Sequence, residues 1–310
     1  MKSIGVKLIV FGVLVLAAWL LARSGVYGLS LFLFMPMAFG GFAAWAFGAE
    51  TERTAMLLGA AAGVAGSLFF LLAGLEGLIC VVMVLPIVIP LGAVGGWLYH
   101  ERRFSRNGWR AGLLLLVPPF SLAWDINAAT PLFEVRTAIE INAPPEVVWK
   151  NVVSFSELPE PDEWYFRVGI AYPKRARIDG SGAGAIRYCE FSTGPFVEPI
   201  AVWQEPTLLA FNVTENPPPM EEWSPYQNVT PAHLHGYLVS RKGQFRLTRL
   251  ANGRTLLEGS TWYQHGLRPA QYWRLWSDAI IHRIHLRVLN HIRGLSEPRL
   301  AGEMGQPAKE

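Results

Sequence analysis

Four uncharged apolar stretches crowd the first hundred residues, and a water-soluble fold has no place to bury them all. They span residues 8–22, 29–49, 55–73 and 78–99. About 20 helical residues of this kind cross a ~30 Å hydrocarbon core, so the pattern predicts a multi-helix membrane region over residues 1–126. Lys2 and Lys7 ahead of the first stretch imitate a secretory leader. Three more spans follow at once without a small-x-small cleavage site, so the first stretch reads as a retained anchor. Gly74-Leu75-Glu76-Gly77 is a turn between the third and fourth spans. Pro86 and Pro90 are expected to kink the fourth, which a membrane bundle tolerates when neighbours satisfy the freed carbonyls. Gly59, Gly63 and Gly66 are expected to allow close helix packing in the third.

A fifth apolar segment, residues 111–124, is short and contains Pro118-Pro119. It reads as a short span, a re-entrant segment or an interfacial helix. Short loops rich in Lys and Arg stay cytoplasmic. Lys2, Lys7, Arg53 and the cluster Arg102, Arg103, Arg106 and Arg110 agree with four spans, and Arg23 runs against them. If the fifth segment crosses, the rest of the chain lies outside, in a bacterial periplasm. If it only dips in, the rest is cytoplasmic. We take the outside reading, in a bacterial inner membrane. The spans hold essentially no charge, so a passive anchor is expected rather than a transporter.

The remaining residues carry charge, Pro and aromatics at ordinary globular density, so the positive mean hydropathy is an average of two unlike halves. A net charge of +3, without a basic patch interleaved with aromatics, excludes nucleic-acid binding. Cys80 sits in an apolar span and Cys189 in the polar half, so no disulfide is expected. The segment from Phe133 to Ile141 alternates as a half-buried strand. Pro144-Pro145 then opens a helix that runs through Val147, Val148 and Val152. Strands are expected over 175–178, 184–191, 197–204, 208–213, 243–250 and 255–264. Asn252-Gly253 between the last two is a strong hairpin signal. Gly180, Gly182 and Gly184 form a turn, not a phosphate loop. Pro269 opens a long helix to about Arg293, with Gly294 as its C-cap. Along it Trp273, Trp276, Ile280, Ile284, Val288 and Ile292 make one apolar stripe.

Several of these segments resemble the START-like superfamily, also called SRPBCC or polyketide cyclase/Bet v 1-like. The resemblance rests on the strand leading into Ile141-Asn142-Ala143-Pro144-Pro145-Glu146-Val147-Val148-Trp149 and on Gly182-Ala183-Gly184-Ala185-Ile186-Arg187-Tyr188. Val202-Trp203-Gln204-Glu205-Pro206 and the closing strand with its long helix complete it. It covers about residues 132–295. It implies an α+β helix-grip domain over 130–296, an antiparallel sheet wrapped on a long C-terminal helix, followed by a flexible tail, 297–310. It also implies a cavity between sheet and helix that takes a hydrophobic small molecule or lipid. One departure is a Pro-rich insert between the strand near Val213 and the hairpin at Gly243. It reads as a lid or membrane-contacting loop, or as a packed surface loop.

The ligand-binding residues expected are Arg187, Cys189, Trp203, Trp262, His265, Trp273 and Trp276. Arg187 shares a strand face with Cys189 and, if inward, would orient a polar head group. A cyclase or hydrolase reading needs an inward acid/base pair, such as Arg187 with His265 or Glu190. Cys189 as a nucleophile lacks a supporting signature and reads better as a small buried hydrophobe. Asp278, His282 and His285 share a helix face, and His233-x-His235 is a spaced pair. The first set could chelate zinc, but its face is where exposed polar residues belong and Arg274, Arg283 and Arg287 nearby would repel a cation. The second lacks a third partner, so structural or surface roles are expected, with no metal and no cofactor. No serine-hydrolase elbow, P-loop or His-Glu-x-x-His occurs, so binding is expected ahead of catalysis. A non-catalytic, partner-binding module is the remaining alternative.

Overall fold

The computed structural model describes residues 2–104, 120–226 and 231–298. They cluster into two compact units that are not contiguous in sequence. The helical unit takes residues 1–131, 220–238 and 265–276, and the sheet unit takes 132–219, 239–264 and 277–310.

In the helical unit, α1 (Lys2–Arg23), α2 (Met35–Ala46), α3 (Glu52–Leu72) and α4 (Leu78–Phe104) follow the expected apolar stretches. Among the described residues, three helices are long and apolar enough to cross a membrane. The second stretch is shorter than expected. It opens as a wide π turn, Ser30–Phe34, and continues as α2. It stops at Ala46 because Gly48 takes a left-handed φ of +68° and the Ala49 N–H turns back to the Ala44 carbonyl at 2.9 Å. Pro36, in the first turn of α2, accompanies the wide turn because it lacks an N–H. Thr51 caps α3 by accepting from the Thr54 N–H at 3.2 Å. Pro86 and Pro90 lie inside α4. Much of the expected 111–124 segment lies outside the described residues; residues 120–127 are helical. From them the Asp125 carboxylate accepts from the Leu29 and Ser30 N–H groups at 2.8 Å each, closing the start of the second helix.

Glycine decides how closely these helices approach. A Cβ on Gly59 or Gly40 would collide with the Gly92 carbonyl, and one on Gly63 would lie 2.7 Å from the Val88 carbonyl. Gly66 differs from the expectation. A Cβ there meets nothing within 4 Å, because it faces a cavity.

The sheet unit is a helix-grip fold. Its seven antiparallel strands are β1 (Leu132–Ile141), β2 (Pro173–Asp179), β3 (Ile186–Phe191), β4 (Gly194–Gln204), β5 (Leu208–Asn212), β6 (Leu238–Arg249) and β7 (Thr255–His265). They lie in the order β1-β7-β6-β5-β4-β3-β2. Two short helices, α5 (Pro145–Val153) and α6 (Trp164–Arg167), follow β1, and α7 (Ala270–Ser296) closes the chain. The Asn252-Gly253 turn forms as expected, with Gly253 at φ +78° and Asn252 Oδ1 accepting from the Arg254 N–H at 3.1 Å.

Gly294 is not the C-cap of α7. The helix continues to Ser296, held by the Ser296 hydroxyl donating to the Ile292 carbonyl at 2.7 Å. The core of this unit joins Leu209, Leu257, Val148 and Trp149 to Val288, Leu289 and Ile292 of α7, each at most 7% exposed. The space expected beneath the helix is therefore filled along its C-terminal half.

Candidate functional site

The sheet unit holds one buried charge pair. Strand alternation turns Arg187 and Cys189 to the same inner face, and both are buried. Directly opposite Arg187 in the β3–β4 register stands Glu198, also buried. The Arg187 Nη1 donates to Glu198 Oε2, and Nε donates to the Val153 carbonyl at 3.3 Å. The rings of Phe155, Phe211 and Phe245 surround the guanidinium at 5.5–5.6 Å. Its Nη2 is buried without a hydrogen-bond partner.

Burial works against the Arg187 charge, and Glu198 more than offsets it, so the guanidinium titrates above its ordinary value. Burial raises the Glu198 carboxyl, with Arg187 pulling the other way. The Cys189 thiol is pushed up to about 12, chiefly by burial and then by Glu198. It stays protonated at neutral pH, which fits a packing residue and not a nucleophile.

The group paired with Arg187 is therefore Glu198, and not His265 or Glu190 as the sequence suggested. Glu190 points to the opposite, exposed face, where it binds Arg175 at 2.7 Å and Arg177 at 3.3 Å. Glu198 was findable in the sequence only by counting the hairpin register back from Gly194.

The other expected residues separate. Trp203 packs edge-on against Trp149 at 5.5 Å, at the margin of the same core. Trp262 does not face the interior. Its neighbours Thr261 and Tyr263 bond to His285 (2.8 Å) and Asp278 (2.6 Å) on α7, so alternation turns Trp262 to the outer face, under Lys242 Nζ at 4.4 Å. His265, Trp273 and Trp276 fall in the helical unit, with His265 and Trp273 buried. The polar face of α7 turns partly to the sheet: Thr137 Oγ1 lies 2.8 Å from His282 Nδ1 and 3.1 Å from His285 Nδ1, while His282 itself stays exposed.

The helical unit contains a cavity of about 150 Å³, lined almost wholly by carbon. The π turn and α2 contribute Phe32, Met35 and Phe39, and α3 contributes Gly66 and Phe70. Trp273 closes one side, its ring 5.0 Å from Phe32. The insert supplies Met220 and His233. It is a docked element. The Leu78 N–H donates to the Trp223 carbonyl at 2.9 Å, and the Tyr226 hydroxyl donates to the Leu72 carbonyl at 2.6 Å. Glu76, Cys80 and Tyr27 form a polar end. Sequence reasoning placed Trp273 among ligand residues but missed this wall, because its parts come from segments far apart in the chain.

Residues 133–267 match the family model described as "Polyketide cyclase / dehydrase and lipid transport". Comparison with curated proteins gives no significant match. Among solved structures, the chain is similar to the Zhui aromatase/cyclase of Streptomyces sp. R1128, at 15% identity over 54% of this chain and 94% of that one, TM-score 0.33. It is also similar to major latex-like protein 151 of Panax ginseng, at 12% identity over 54% and 99%, TM-score 0.36. Norcoclaurine synthase of Thalictrum flavum gives 12% identity over 55% and 96%, TM-score 0.35.

Proposed function

We propose, on the premise that residues 133–267 form a polyketide cyclase/START-like domain joined to membrane-spanning helices, that the chain binds a hydrophobic, lipid-like molecule at the bilayer. The observation that carries this reading is the carbon-lined cavity of the helical unit with its single polar end. An apolar cavity with a few convergent polar groups is the usual form of a small-molecule site, and one built from spanning helices draws naturally on molecules dissolved in the membrane. Trp273 is the expected ligand residue that lines it. In this reading the protein is an anchored binder in a bacterial inner membrane, with the sheet unit on the periplasmic side.

The test is native mass spectrometry and lipid extraction of the full chain, purified in mild detergent. A co-purifying amphiphile near one per chain is the expected result. Gly66→Phe should abolish it, because the new side chain enters open space without striking backbone. Equal amphiphile on both proteins, or none on the parent, would overturn the reading.

A second reading, a cyclase-type enzyme, draws on the buried Arg187–Glu198 pair with its unpartnered Nη2. Glu198→Gln would then remove turnover of a polyketide-like substrate while leaving amphiphile binding in the helical unit intact.

A further inference from the structure

At the polar end of the cavity, four metal-ligating side chains of three types come together from two distant segments. Glu76 lies in the turn after α3, and Cys80 lies one helical turn on, in α4. Glu222 and His233 come from the insert. Cys80 Sγ lies 2.6 Å from Glu222 Oε1 and 3.0 Å from His233 Nε2, and His233 Nε2 lies 3.6 Å from Glu222 Oε1. On the other side of the ring, His233 Nδ1 faces Glu76 Oε2 at 3.5 Å. The Tyr27 hydroxyl donates to Glu76 Oε1 at 2.8 Å and its ring stands 5.0 Å from the imidazole. Glu76, Cys80 and His233 each offer a ligand atom within 4.8 Å of the others.

The cluster does not satisfy itself. Glu76 Oε2, Glu222 Oε2 and His233 Nδ1 are buried without hydrogen-bond partners. The Glu222 side chain is fully buried and that of His233 is 9% exposed. Two buried carboxyl groups face one imidazole, and each keeps an oxygen that nothing satisfies. An uncompensated buried carboxylate is costly, and a divalent cation removes that cost.

We propose that Cys80, Glu222 and His233 bind a divalent transition-metal ion, zinc by its ligand set, with Glu76 orienting His233. A tetrahedral zinc with S at ~2.3 Å and N or O at 2.0–2.2 Å spaces its ligand atoms by roughly 3.3–3.6 Å; His233 Nε2 and Glu222 Oε1, 3.6 Å apart, already meet that spacing, and Cys80 Sγ needs to draw back from them by roughly 0.5–1 Å. A mixed S, N and O set suits zinc better than the hard cations. Glu76, 3.5 Å from the far ring nitrogen and itself held by Tyr27, is placed to close on that nitrogen when the metal binds and so complete a carboxylate–histidine–metal relay. Binding forms Zn–S, Zn–N and Zn–O bonds and releases the Cys80 thiol proton to solvent. Three protein ligands leave a fourth position on the side where Cys80 and His233 line the cavity.

The test uses the full chain in detergent. Elemental analysis after zinc dialysis should find one zinc per chain, and zinc should raise the thermal midpoint. Cobalt titration of the apo form should give a thiolate-to-cobalt charge-transfer band in the near ultraviolet. Cys80→Ser should lose that band. His233→Ala and Glu222→Gln should each weaken binding at least ten-fold. Glu76→Gln should weaken it ten- to hundred-fold while keeping the stoichiometry at saturating metal. His235→Ala, at an exposed position, should bind as the parent does, and matched elution profiles of the metal-free variants exclude misfolding as the cause. Absence of stoichiometric zinc in the parent, or unchanged affinity in Cys80→Ser and Glu222→Gln, would overturn the site.

Discussion

Arg187 and Glu198 show what a single residue pair contributes inside the sheet unit. Both are buried, so each exists there only because of the other. Removing one partner leaves the other charge unpaired at a cost of about 3–5 kcal/mol, whereas replacing both with apolar groups is often near neutral. Arg187→Met and Glu198→Leu should each lower the urea midpoint sharply, and the double variant should recover most of the loss. Independent, additive losses would refute the pairing. His285 sets a pH dependence. Burial, with His282 adding, lowers its pKa to about 4, against about 6.5 in the unfolded chain. Above pH 6.5 it is neutral in both states and contributes no slope. As pH falls from 6.5 toward 4, only the unfolded chain gains the proton, so stability is lost across that window. The loss should be roughly 2 kcal/mol after solvent screening, and His285→Gln should flatten the curve of thermal midpoint against pH. Arg187 was legible in the sequence because an inward charge breaks the strand pattern. Glu198 was not, because its role depends on a register that the turn alone fixes.

At the scale of elements, the legible parts were those with a period. The strands announced themselves by alternation and the Asn252-Gly253 turn, and α3 and α4 by uninterrupted apolar length. Two helix ends were misread for local reasons: Gly48, in a left-handed conformation, stops α2 at Ala46, and side-chain bonding carries α7 past Gly294. The expectation that one α7 stripe covers a hollow also failed in part. Trp273 lines the helical unit's cavity, while Val288, Leu289 and Ile292 fill the sheet unit's core, a division that helical spacing does not reveal. In the bundle, Gly92 is a point of close approach on two sides, since a Cβ there would strike the Gly59 carbonyl, and its own carbonyl bars a Cβ on Gly40 or Gly59. Gly92→Val should force α3 and α4 apart and cost about 1–3 kcal/mol or more, read as a lower midpoint in detergent unfolding. Gly12→Ala, with open space at its Cβ, should change nothing.

For the molecule as a whole, the sidedness argument from Lys and Arg makes a definite expectation. A fluorescent protein that matures only in the cytoplasm, fused after residue 298, should stay dark, and alkaline phosphatase at the same point should be active. The reverse pattern would put the sheet unit inside. The helical unit is also discontinuous. Its last pieces, residues 220–238 and 265–276, supply Trp223, Tyr226, His233 and Trp273 to a bundle whose helices α1 to α4 end by Phe104. A ribosome delivers those helices to the membrane well before it makes the segments that finish them. Through that interval Glu76 and the wall around it have neither the insert nor Trp273 beside them, so the bundle reaches its final packing only after most of the chain has been translated.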